Sequence, residues 1–88
     1  MLLFGSQQDE RTDRARGQLE RMLAEVQGVV LAEVDLTTRG DLAGRYGVTR
    51  TPSVFALDGQ GRLRARVTGA ADVDTLHAAL ESVLRSAG

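Results

Sequence analysis

Two short β-forming runs with one amphipathic helix between them constrain this chain more than any other feature. Residues 1–5, MLLFG, are an apolar run that reads as a fully buried strand, and residues 29–35, VVLAEVD, are rich in β-branched side chains and read as a second. Between them Leu19, Met22, Leu23 and Val26 recur at i, i+3, i+4 and i+7. That spacing makes one buried helical stripe and leaves Arg14, Arg16, Glu20 and Arg21 to solvent. A strand, a crossover helix and a second strand pair in parallel, and central apolar strands have to be covered on both faces. The helix starts at Ser6, which has capping-box spacing to Asp9, or one turn later with Asp9 itself as N-cap. Gly28 is its expected end.

The remaining pattern completes the order β-α-β-α-β-β-α. Thr37 or Thr38 caps a shorter helix in which Leu42, Ala43 and Tyr46 face inward, and Gly47 stops it. Thr51 and the chain's one proline, Pro52, precede SVFAL, so Pro52 stands at a strand entrance where a missing N–H is tolerated. Residues 58–61, DGQG, are a hairpin signal leading into RLRARVT. There Leu63, Ala65 and Val67 alternate with arginines, and period-2 spacing places Arg62, Arg64 and Arg66 on one face, covering helix surface or blunting an edge strand. Asp72 caps a last helix whose apolar side carries Val73, Leu76, Leu80, Val83 and Leu84. The expected fold class is α/β, a four-stranded mixed sheet of order 2-1-3-4 flanked by three helices, as a single domain over residues 1–88.

Composition matters at three points. Hydrophobic residues are 42% and charged residues 26% of the 88, which is ordinary for a folded soluble chain. The net charge of −1 supplies no global field for nucleic acid or an anionic membrane. With no cysteine, thiol exchange and thiolate zinc sites are chemically excluded. No apolar run is long enough to span a membrane, and the cytoplasm is the default location.

The strand ending in Val34-Asp35, then Leu42-Ala43, Tyr46-Gly47-Val48, Thr51-Pro52 before a strand, a glycine-containing hairpin and Gly69 before the last helix together resemble the thioredoxin family. The resemblance spans almost the whole chain, in a minimal form without the family's usual first strand and helix. In that family a Cys-x-x-Cys motif opens the helix after the central strand, where the helix dipole and backbone amides stabilise a thiolate. A gapless match puts the motif on Asp9-Glu10-Arg11-Thr12, with Asp9 for the attacking thiol and Thr12 for the resolving one. Neither forms a mixed disulfide, so dithiol oxidoreductase activity is impossible here. The same match puts Leu3 and Leu31 where bacterial members carry a buried acid and a buried lysine, and Gly5 and Gln8 where they carry tryptophans. Once no thiol titrates, apolar replacements avoid the cost of a buried charge.

The resemblance also implies a cis bond before Pro52, with the residue before it offering its backbone to an extended substrate chain. It therefore implies a peptide-binding edge at Thr51-Pro52 with Arg50, Arg11 and Gly69 on its rim. The expected function is a redox-inactive domain that binds a protein or an extended peptide through that groove, with no cofactor. The alternative is a non-dithiol enzyme, or a domain holding an anion or thiol cofactor at the helix N-terminus over Asp9-Thr12. A third reading is a module whose missing first strand and helix come from a partner or a longer parent protein. Asp9, Glu10 and Asp13 are too few for a metal site, and first-turn acids already have a reason in cap and dipole stabilisation. Arg11, Arg14, Arg16 and Arg50 make a candidate basic lip, interleaved with acids. His77 lies off the last helix's apolar stripe without a nucleophile beside it. Nothing in the chain sets an oligomeric state.

Overall fold

A computed structural model describes residues 1–69 and 72–87. The elements are β1 (Leu2–Gly5), α1 (Glu10–Leu23), β2 (Ala32–Asp35), α2 (Asp41–Tyr46), β3 (Ser53–Leu57), β4 (Leu63–Thr68) and α3 (Val73–Ala87). They form one mixed sheet of order β2-β1-β3-β4, as the sequence pattern requires. β1 runs parallel to β2 with Leu2 opposite Ala32 and Gly5 opposite Asp35, and antiparallel to β3 with Phe4 opposite Ser53.

The alternation of β1 and β3 divides the apolar residues between two faces. Leu3, Val54 and Ala56 point to the face that α1 and α3 cover, where Leu19, Met22, Leu76, Ala79 and Leu80 complete the main core. Leu31 packs against that core from its edge. Phe4 and Phe55 point the other way and meet Val48, with Leu2, Val34, Leu36 and Ala43 around them. Among the described residues, only the six-residue α2 stands on this second face, and none of its residues is fully buried.

Five local expectations need correction. α1 ends at Leu23, not at Gly28. The chain leaves the helix through a tight Val26 N–H to Leu23 carbonyl turn, and Val26, Val29 and Leu31 then pack onto the main core while Gly28 makes the reversal at φ +84°. Core burial outweighs the helical preference of Ala24 and Glu25. β2 begins at Ala32 instead of Val29, and Val30 is 75% exposed. Neither Thr37 nor Thr38 caps α2, whose N-cap is Gly40 without a side-chain bond. Thr37 Oγ1 instead accepts from Gln7 N–H, and Thr38 Oγ1 donates to the Asp35 carbonyl. Tyr46 is 44% exposed and touches Phe4 at a ring separation of 5.7 Å, so it rims the second face instead of filling it.

The fifth correction concerns β4. Ala56 pairs with Ala65 but Leu57 pairs with Leu63, a register shift that makes a bulge around Arg64. Alternation therefore breaks: Ala65 and Val67 face the main core, while Leu63 joins Leu57 and Arg66 on the second face. The three arginines do not form one row. Arg62 Nε and Arg64 Nε both donate to Asp58 Oδ2 at 3.1 Å, and Arg66 lies over the Phe55 ring.

Candidate functional site

The site grows out of the C-terminal end of β1 and the N-terminal end of β3, which antiparallel pairing places side by side. After Gly5 the chain turns through residues 6–8, with Gln8 in the left-handed region at φ 59°, and enters α1 at Asp9. Asp9 is the N-cap: its Oδ1 accepts from Arg11 N–H at 3.0 Å, its Oδ2 accepts from Thr12 Oγ1 at 3.1 Å, and its carbonyl accepts from Asp13 N–H. The bond from the Arg11 amide is the first reason its carboxyl is held below the ordinary carboxylate range, and the Thr12 hydroxyl and Arg11 charge add to it. Thr12 is fully buried beneath Gly5, and its Oγ1 also accepts from Ser6 N–H at 3.4 Å.

Both positions that match the cysteine pair thus serve the fold. Asp9 satisfies amides that a bound anion would use, and its negative charge opposes one at the same place. Thr12 is a buried staple between β1 and α1. Glu10 is exposed, as is Arg11, whose Nε stands 3.7 Å from Asp9 Oδ1. No group of three or more His, Asp or Glu side chains converges as a metal site among the described residues.

Across the strand boundary, Pro52 is buried and the Thr51-Pro52 bond is cis. Ser53 is fully buried and donates from Oγ to the Arg50 carbonyl, fixing the corner from beneath. Sequence reasoning missed Ser53; its signal was a hydroxyl at the first inward position of an otherwise apolar strand. Thr51 is half-buried, and among the described residues its backbone N–H and carbonyl make no hydrogen bond. Arg50 lies over Gly69: three of its guanidinium-group atoms stand 3.9–4.0 Å from where a β-carbon on Gly69 would be. Gly69 adopts φ +76°, a conformation that glycine takes without strain. Arg50, Thr51, Pro52 and Gly69 therefore form one corner, with an exposed arginine that has no acidic partner among the described residues.

Arg16 is not free to join the candidate basic lip. Arg16 turns to β2, donating from Nε to Glu33 Oε2 at 2.8 Å and from Nη1 to Asp13 Oδ1 at 2.8 Å. These acids hold its guanidinium firmly charged. Arg14 is exposed on the outer side of α1, and His77 is exposed on α3.

A 2-1-3-4 sheet with a crossover helix starting beside a proline corner defines an α/β domain of thioredoxin-like fold. The chain belongs to the thioredoxin-like domain family, whose family model matches residues 3–84. Among solved structures it is similar to one described as "Structure of a malarial protein", with a TM-score of 0.77 at 19% identity, covering 94% of this chain and 93% of that one. That likeness is one of fold. No curated protein is matched by sequence.

Proposed function

We propose that this domain acts without redox chemistry, as a binding module that takes an extended segment of another protein at the Thr51-Pro52 corner. The observation that carries this reading is the Thr51 main chain, which stands at the rim of β3 with both hydrogen-bonding groups unused by the described residues. An unpaired donor and acceptor beside a strand end suit β-type pairing with an incoming chain. Arg50 over Gly69 adds a charge on the rim that favours a segment bearing a carboxylate. The absence of cysteine and the structural use of Asp9 and Thr12 support binding without covalent capture. The domain is taken to act in the cytoplasm, without a cofactor. The test is photo-crosslinking from position 51 in the presence and absence of dithiothreitol, with Arg50→Glu as the disabled comparison.

A further inference from the structure

A second surface lies on the α2 face of the β3–β4 pair and shares no residue with the corner at Thr51. On the face beside α2, the side chains of Leu2, Tyr46, Phe55, Leu57, Leu63 and Arg66 enclose an open groove of about 580 Å³. Its floor is apolar, and Leu63 is 49% exposed at its outer lip. β4, which supplies that lip, pairs with β3 alone among the described residues, so its outer row of backbone groups is open.

Charge distinguishes this edge. Arg62 and Arg64 are both paired with Asp58, at 3.1 Å each, one carboxylate shared between them. Arg66 is not: its Cζ sits 4.7 Å from the Phe55 ring centroid, and its Nη2 donates to the carbonyls of Tyr46 at 2.7 Å and Gly47 at 3.1 Å. Those contacts hold the guanidinium over the groove floor while leaving Nε and Nη1 without a partner among the described residues. A positioned cation without a carboxylate, set at the end of an apolar groove, is complementary to an acid carried next to an apolar side chain.

The bulge sets the spacing. Because it lies between Leu63 and Arg66, both residues face the groove although they are three apart in sequence. A regular strand laid along β4 would present its own i and i+2 side chains on that face, about 6.8 Å apart. We propose that β4 accepts an extended segment of a partner protein with the pattern apolar-x-acidic, its carboxylate on Arg66 and its apolar side chain against Leu63 and Leu57. A second copy of this chain is a poorer occupant. Its own acidic edge, β2, has Glu33 held by Arg16, and Asp35 accepts from Thr37 N–H. Two β4 edges brought together would oppose arginine to arginine.

The test is selection of a random heptapeptide library on the whole domain, repeated on Arg66→Gln, on Leu63→Asp and on Thr51→Lys. Leu63→Asp removes the apolar lip and sets a competing carboxylate beside Arg66, and urea denaturation of each variant separates loss of the groove from loss of folding. The expected result is an enriched apolar-x-acidic pattern, bound at least tenfold more weakly by Arg66→Gln and Leu63→Asp and equally by Thr51→Lys. Amide shifts on titration of a selected peptide should map to residues 63–68 and 46–47. Absence of enrichment, enrichment without an acid, peptides held equally by Arg66→Gln, or peptides lost only on Thr51→Lys would each overturn it. So would a concentration-dependent dimer abolished by Arg66→Gln, which would make a second copy the occupant.

Discussion

Thr12 stands so close over Gly5 that a β-carbon on Gly5 would overlap Thr12 Cγ2 and press on its Oγ1. The contact joins the end of the central strand to the first turn of α1. Gly5→Ala should therefore cost about 1–3 kcal/mol by overpacking. In a Thr12→Ala background the overlapping atoms are gone, and urea denaturation should find the cost of Gly5→Ala at least halved. Equal costs in both backgrounds would show that the two residues are not coupled.

The main core depends on residues that bridge layers. Leu19 is fully buried between α1 and the sheet, so Leu19→Ala should lose about 2–5 kcal/mol. For a chain of this length total stability is on the order of 4–13 kcal/mol, so that variant loses a substantial share of it. Leu63→Ala, on the open face, should change stability by less than about 0.5 kcal/mol. Chemical denaturation of both variants checks the contrast.

Stability should fall in acid for a stated reason. The carboxyls of Asp9, Asp41, Asp58 and Asp72 are all held below their ordinary value of 3.8, chiefly by hydrogen bonds from backbone amides or, for Asp41, from Arg39. Their folded values lie below the unfolded ones, so the unfolded chain takes up protons first as pH drops. Their contribution is complete above about pH 5 and is lost as pH falls through the folded values. Thermal unfolding should show a flat melting temperature from pH 5 to 7 and a decline below pH 4. Asp9→Asn, which still caps, should flatten that decline; an unchanged slope would remove Asp9 from the account.

How far the sequence disclosed this structure depends on the range of each interaction. Strand order, the Asp9 cap and the position of Gly47 follow from local patterns, and the Thr51-Pro52 corner follows from family resemblance. The end of α1 was hidden, because nothing in Ala24-Glu25 opposes a helix; only the burial of Val26 and Val29 against distant residues ends it. The bulge at Arg64 was hidden too, since perfect alternation in RLRARVT points to a regular strand. Its consequence, Leu63 beside Arg66 on the open face, is a property of pairing with β3. Likewise the helix pattern of α1 leaves Arg16 to solvent, and its pairing with Glu33 depends on where β2 lies beside β1.

The hairpin at residues 58–61 rests on one carboxylate. Asp58 accepts from the amides of Gln60 and Arg62 and from both neighbouring arginines. Asp58→Ala should leave the domain folded but speed hydrogen exchange of the amides at 60–62 by tenfold or more, while β1 amides keep their protection. Exchange unchanged in the hairpin would show that the ladder alone holds it.

The most direct test of the binding account is ultraviolet crosslinking in the source organism, with p-benzoylphenylalanine placed at position 51 and, as a control, at the exposed Gly28. The account predicts a discrete protein adduct from position 51, unchanged by dithiothreitol, lost when Arg50→Glu is added and absent from position 28. Adducts of equal yield and pattern from both positions, or none from position 51, would contradict it.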